Sequence, residues 1–82
     1  KKYDEAIPHF KECIATLREL CIPKYLADAT HELGLTYRMM GKKEEARQQF
    51  WEALVLYEKL GIPKQVEMVR KDMESLGEPS AQ

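Results

Sequence analysis

The stretch Lys2–Lys24, KYDEAIPHFKECIATLRELCIPK, lies over Lys42–Lys64, KKEEARQQFWEALVLYEKLGIPK, without a gap and at an offset of 40 residues. The two copies share Glu5/Glu45, Ala6/Ala46, Phe10/Phe50, Glu12/Glu52, Leu20/Leu60, Ile22/Ile62, Pro23/Pro63 and Lys24/Lys64. The apolar identities fall at helical spacing, and the Ile-Pro-Lys breaker returns at the same place. Chance is a poor account of such a match, so the chain reads as an array of similar units. Units of this kind bury their apolar faces by stacking, because a lone hairpin lacks the area to do so.

Periodicity predicts an all-α fold of four antiparallel helices. The first runs from about Tyr3 to Leu20, with Ala6, Phe10, Cys13, Leu17 and Leu20 on one face and Ile7 and Ile14 widening it. Pro8 removes one backbone donor from this helix, so the helix either begins near Asp4 or bends at Pro8. The second helix is expected from about Lys24 to Met40, with Leu26, Ala29, Leu33, Thr36, Tyr37 and Met40 inward and Gly41 as a left-handed stop. The third is expected over 43–60, burying Ala46, Phe50, Ala53, Leu54, Tyr57 and Leu60 before Gly61. The fourth starts at Pro63, a favoured first helical residue, and runs to about Leu76, burying Val66, Val69, Met73 and Leu76.

Gly34 is out of place in this pattern. It stands inside the second helix, where glycine costs about 1 kcal/mol relative to alanine. A turn at Gly41 folds the third helix back antiparallel, which sets Gly34 and Phe50 each roughly two turns from the reversal and opposite one another. The vacant position then admits the ring. Burying a phenylalanine is worth about 3–5 kcal/mol, which outweighs the lost helix propensity. Gly34 is therefore expected to be a packing notch, flanked on the facing stripe by the small residues Ala46 and Ala53.

Leu33-Gly34-x2-Tyr37, followed by Gly41, Ala46, Phe50 and Ala53, resembles the tetratricopeptide repeat, whose pattern is Trp-x2-Leu-Gly-x2-Tyr and then Ala-x3-Phe/Tyr-x2-Ala. The resemblance covers Ala27–Leu60, and it extends to Tyr3, Ala6, Phe10 and Cys13 as the second helix of a preceding repeat. It is weaker over Pro63–Gly77, which lacks a Leu-Gly in register. Thr30 replaces the family's Trp and Glu58 its Pro; losing that Pro lets the third helix run on to Leu60 and stretches the period to forty. Repeats stretched in this way resemble those of bacterial regulators and signalling scaffolds. The resemblance implies an α-solenoid fragment. Residues 1–77 would form one repeat domain, with 3–20 as a half-repeat, 24–60 as a complete repeat and 63–77 as a C-terminal capping helix. A frayed tail would occupy 78–82.

Composition narrows the functional classes. Thirteen basic residues oppose fourteen acidic ones, for a formal charge of −1, which is no footprint for nucleic acid. No apolar run approaches the roughly 20 residues of a membrane span, and no signal-peptide pattern opens the chain. The first residue is not Met, so the chain is expected to be a piece of a longer protein. Cys13 and Cys21 lie eight residues apart on one predicted helix, about 12 Å along its axis and too far for a disulfide. Free thiols fit a reducing, cytoplasmic setting.

Catalytic constellations are not in view. Ser75 and Ser80 lack the context of an activated nucleophile. His9 and Cys13 share a helical face as two possible metal ligands, but two ligands make no zinc site. Asp28, His31 and Glu32 cluster at helical spacing as an acid–base group or, equally, as a solvated face. No glycine-rich phosphate loop is present. No enzyme activity, cofactor or metal is expected.

In the resembled family the first helix of each pair lines a concave groove that takes peptides. Carried over by position, the groove residues are Asp28, His31, Glu32, Leu35, Arg38 and Met39, joined by Met68, Lys71, Asp72 and Ser75 from the fourth helix. One subset of the family holds a carboxylate with Lys-x3-Asn; here His31 and Leu35 occupy those places, and Glu32 repels such a group. The expected partner is a peptide or protein segment with apolar anchors and some basic residues. A second expected surface, made of Ile7, Ile14, Trp51 and Val55, would serve self-association as a homo-oligomer.

Overall fold

The computed structural model describes residues 2–76, which form α1 (Lys2–Glu19), α2 (Pro23–Met39), α3 (Lys43–Leu60) and α4 (Pro63–Glu74), with no strand among the described residues. The predicted helices stand within two residues of these bounds. Gly77 and the tail over 78–82 lie outside the described residues.

The turns show why the period is forty. The Ile22 N–H donates to the Leu17 carbonyl at 3.1 Å and the Cys21 N–H to Arg18 at 3.2 Å. The same pair of bonds recurs from Lys42 to Tyr37 (2.9 Å) with Gly41 to Arg38 (3.0 Å), and from Ile62 to Tyr57 (3.2 Å) with Gly61 to Glu58 (3.1 Å). Each is a Schellman ending, in which a residue of positive φ lets the chain satisfy the last carbonyls of the helix. The three residues are Cys21 (φ 56°), Gly41 (φ 83°) and Gly61 (φ 70°). One falls every twenty residues, so each repeat is two helical halves of equal length. Pro23 and Pro63 then open α2 and α4 at a position that needs no donor. Glu44 and Glu45 occupy the first turn of α3, where the helix dipole favours negative charge.

Cys21 corrects the sequence reading. It does not continue the first helix but sits beyond its end, in a left-handed conformation that an L side chain adopts at a cost. Its counterpart forty residues on is Gly61, which meets the same need without that cost. Both cysteines are free and exposed.

The helices pack in zigzag order, α1 on α2, α2 on α3 and α3 on α4, giving a plate of 37 × 34 × 16 Å. α2 is the central element, and Leu26, Ala27, Thr30, His31, Leu33, Gly34 and Tyr37 are all buried along it. Thr30, where the resembled family prefers Trp, satisfies its hydroxyl by donating to the Leu26 carbonyl at 2.8 Å. α3 buries Ala46, Phe50, Ala53 and Tyr57 as expected, and α4 contributes Val69, with Leu76 packed in just past the helix end. Gly34 is the notch: a Cβ there would stand 2.7 Å from both Cδ1 and Cε1 of Phe50 and 3.3 Å from the Gln49 Cβ. Phe50 has no exposed surface.

α1 departs from expectation. Cys13 is exposed, Leu20 is 61% exposed, and the buried residue is Ile14. The stripe that meets the core is Ile7, Phe10, Ile14 and Leu17, turned around the helix from the predicted face. α1 packs against α2 on one side, and among the described residues no helix covers the other, so its apolar girdle is divided between core and solvent. Pro8 lies inside the helix rather than in its first turn.

Two stability measurements test these features. Gly34→Ala is expected to destabilise by up to about 2 kcal/mol, since overpacking against a buried ring costs about 1–3 kcal/mol and only roughly 1 kcal/mol of helix propensity is gained. Adding Phe50→Leu should cost less in the Gly34→Ala background than in the wild type, a positive coupling read in a double-mutant cycle of urea melts. Cys21→Gly should raise stability by about 1 kcal/mol through relief of the left-handed strain, seen as a melting temperature several degrees higher.

Candidate partner-binding surface

α2 and α4 lie side by side, and their facing side chains form a connected polar cluster. His31 Nε2 is 2.6 Å from Asp72 Oδ2. Arg38 Nη1 donates to Ser75 Oγ at 2.7 Å and approaches Asp72 Oδ1 at 3.4 Å, while Ser75 Oγ donates back to the Asp72 carbonyl at 2.7 Å. The His31 ring is buried and tilted against Phe50, with ring centroids 5.7 Å apart. The same phenylalanine that fills the Gly34 notch therefore also supports the imidazole that ties α2 to α4.

A second tie joins α2 to α3. The Tyr57 hydroxyl donates to Asp28 Oδ1, and Lys24 Nζ meets the other oxygen, Oδ2, at 3.1 Å. Tyr57 is almost wholly buried. Its pKa is pushed well above the ordinary tyrosine value by burial first, then by the bond to Asp28 and the nearby charges of Asp28 and Glu32.

Five of the groove residues named from sequence, Asp28, His31, Arg38, Asp72 and Ser75, are thus engaged in holding helices together. The others stand clear: Glu32 and Lys71 are exposed, Leu35 is half-buried, and Met39 and Met68 are 65% and 47% exposed. Met68 stands one turn before Asp72 on α4, and Leu35 and Met39 flank Arg38 on α2, so these apolar groups border the polar cluster. The bond from Tyr57 to Asp28 carried no local signal in the sequence. The ties to Asp72 carried a weak one, opposite charges about one repeat apart.

The four residues of the expected self-association surface are not brought together. Ile14 is buried, and Ile7 is half-buried against the core. Trp51 remains 57% exposed on α3, beside half-buried Val55, on a shallow depression it shares with Met73. Asp28 and His31 are tied into separate interhelical contacts, so the cluster with Glu32 is not a free acid–base group. Among the described residues no group of three or more His, Cys, Asp or Glu side chains is placed to hold a metal ion. No helix among them is long and apolar enough to cross a membrane.

Tyr57→Phe tests the second tie. Because the folded state holds this phenolic proton more tightly than the unfolded chain, the contribution is complete below about pH 10 and declines as pH rises above that value. The variant is expected to lose about 1–2 kcal/mol at neutral pH and to show a shallower fall in stability in denaturant melts between roughly pH 9 and 11.

A family model for the tetratricopeptide repeat matches residues 1–59. No curated protein and no solved structure matches the chain. With the matched segment spanning α1, α2 and α3, including the Gly34 notch and its ring, the chain belongs to the tetratricopeptide repeat family, whose members generally serve as protein–protein interaction modules.

Proposed function

We propose that this chain is a non-enzymatic interaction module that binds a peptide or protein segment across the surface where α2 and α4 lie side by side. The observation that carries this reading is the exposure of Met39 and Met68 beside a fully tied polar cluster. Unbranched thioether side chains adapt to differing apolar anchors, and the fixed backbone beneath them reduces the ordering cost of binding. Glu32 borders the methionines and favours a segment that carries basic as well as apolar residues, while Lys71 offers a contact for an acidic group or a backbone carbonyl. Two free, exposed thiols support a reducing, cytoplasmic setting.

His31, Arg38 and Asp72 act in this reading as positioning residues, since their polar atoms already have partners. Replacing Arg38 would disturb the frame along with the surface, so the test belongs at Met39 and Met68. A second reading, self-association, is favoured by the exposed Trp51 and would use the outer face of α3 that carries it.

The two readings separate in one series. Peptide-array hits obtained with the wild type are expected to weaken at least tenfold in both Met39→Asp and Met68→Asp, with unchanged melting temperatures and a monomer in sedimentation. Binding untouched by either substitution would overturn the groove reading. A dimer dissociated by Trp51→Ala, with no peptide hit, would establish the second.

A further inference from the structure

The chain holds four methionines, and the fold sorts them into two pairs. Met39 and Met68 are exposed on the surface where α2 and α4 lie side by side. Met40 and Met73 are half-buried and pack against the apolar core. Met39 and Met40 are neighbours in the chain, yet Met39 ends α2 facing solvent while Met40 caps that helix and packs inward. The two cysteines belong to α1 and the turn after it. Thioether sulfur is therefore the readily oxidised group that the proposed binding surface offers.

We propose that Met39 and Met68 form a reversible oxidation site that gates partner binding, which rests on the function proposed above. The co-reactant is hydrogen peroxide. The thioether sulfur attacks one peroxide oxygen, the O–O bond breaks, an S–O bond forms, and water leaves. Sulfur is oxidised by two electrons and the peroxide is reduced by two. A sulfoxide reductase reverses the change: two thiols become a disulfide, and the sulfoxide oxygen departs as water.

The added oxygen changes what the surface can hold. A thioether adapts to apolar anchors of differing shape, whereas a sulfoxide is a polar acceptor whose burial beneath an apolar anchor is unfavourable unless a donor meets it. Lys64 and Lys71 stand one turn before and one turn after Met68 on α4 and share a shallow depression with it. Their ammonium groups supply that donor from the protein's own side, so oxidised Met68 is satisfied without a partner and gains nothing from an apolar one. The fold is left alone, because the methionines that carry core packing, Met40 and Met73, are the ones partly shielded from the oxidant.

The test uses the full chain with Cys13→Ser and Cys21→Ser, so that thiols do not compete for hydrogen peroxide. Peptide mapping with fragmentation, which separates Met39 from Met40, is expected to show Met39 and Met68 oxidised roughly fivefold faster than Met40 and Met73, with an unchanged melting temperature. The binding probe is an array of synthetic peptides that mix leucine with lysine. Peptides held by the reduced protein should bind about tenfold more weakly after oxidation, and a methionine sulfoxide reductase should restore them. The same loss and recovery are expected in a Met40→Leu, Met73→Leu variant, a volume-conserving change that leaves Met39 and Met68 as its methionines. Equal oxidation of all four methionines overturns the inference. So does oxidised protein that binds as tightly as reduced protein while Met39→Asp and Met68→Asp abolish binding, a result that leaves the binding reading standing. An array with no hit overturns the binding reading and the gate together.

Discussion

The contact between Gly34 and the ring of Phe50 sets the distance between α2 and α3, and the rest of the structure inherits that distance. With the notch in place, Phe50 has no exposed surface, and its ring is near enough to His31 to stack against it. His31 in turn reaches Asp72 on α4, and Tyr57, two turns further along the same stripe of α3, reaches Asp28. A single missing side chain thus governs apolar packing within one hairpin and polar registry between two. Were α2 and α3 held apart by the thickness of a methyl group, the imidazole would lose the ring behind it and the carboxylate in front of it together.

The polar cluster changes what the groove residues do. Their types suggest a surface offered to a partner, but the structure commits His31, Arg38 and Asp72 to one another. Buried or half-buried charged groups are costly when unpaired, so this arrangement favours one lateral setting of α2 against α4. Apolar association alone tolerates sliding; a carboxylate held by an imidazole on one oxygen and a guanidinium on the other tolerates much less. In the proposed function, recognition falls to side chains that flank the cluster, and their spacing is fixed by groups that do not themselves need to touch a ligand.

What the sequence disclosed and what it withheld follow one physical line. The forty-residue match, the helix bounds, the inward face of α3 and the purpose of Gly34 are set by residues close in sequence or paired across a single turn, and spacing was enough to find them. The rotation of α1 was not legible, because its apolar residues occupy more than one face and only the presence or absence of neighbours decides which is covered. Cys21 was misread for a related reason: nothing in its own side chain announces a left-handed turn, although its alignment with Gly61 contained the signal. On the candidate surface, the exposure of Met39 and Met68 was legible from their places on α2 and α4. The internal engagement of Asp28, His31, Arg38 and Asp72 depends on how one hairpin sits against the next helix, which no local pattern specifies.

The two edges of the plate are chemically unlike, and that asymmetry follows from the same repeat. Energetics in such arrays are nearly a sum over neighbouring helices, so an edge helix shows to solvent a face that an interior helix buries. α1 keeps an apolar face with a ring, a small thiol and two leucines. α4 keeps the opposite: where α2 turns Ala27, His31 and Gly34 inward, α4 turns Glu67, Lys71 and Glu74 outward, all exposed. Charges at those positions would lie buried and unpaired beneath another helix, at a cost that apolar contact along one seam does not recover. The uncovered face of α1 is therefore apolar, and that of α4 is charged. This polarity also bears on the proposed binding surface, because α4 is half of it. A helix whose outer face resists further packing leaves Met68 and Lys71 reachable from the side, while the ties to His31 and Arg38 keep that helix from drifting away.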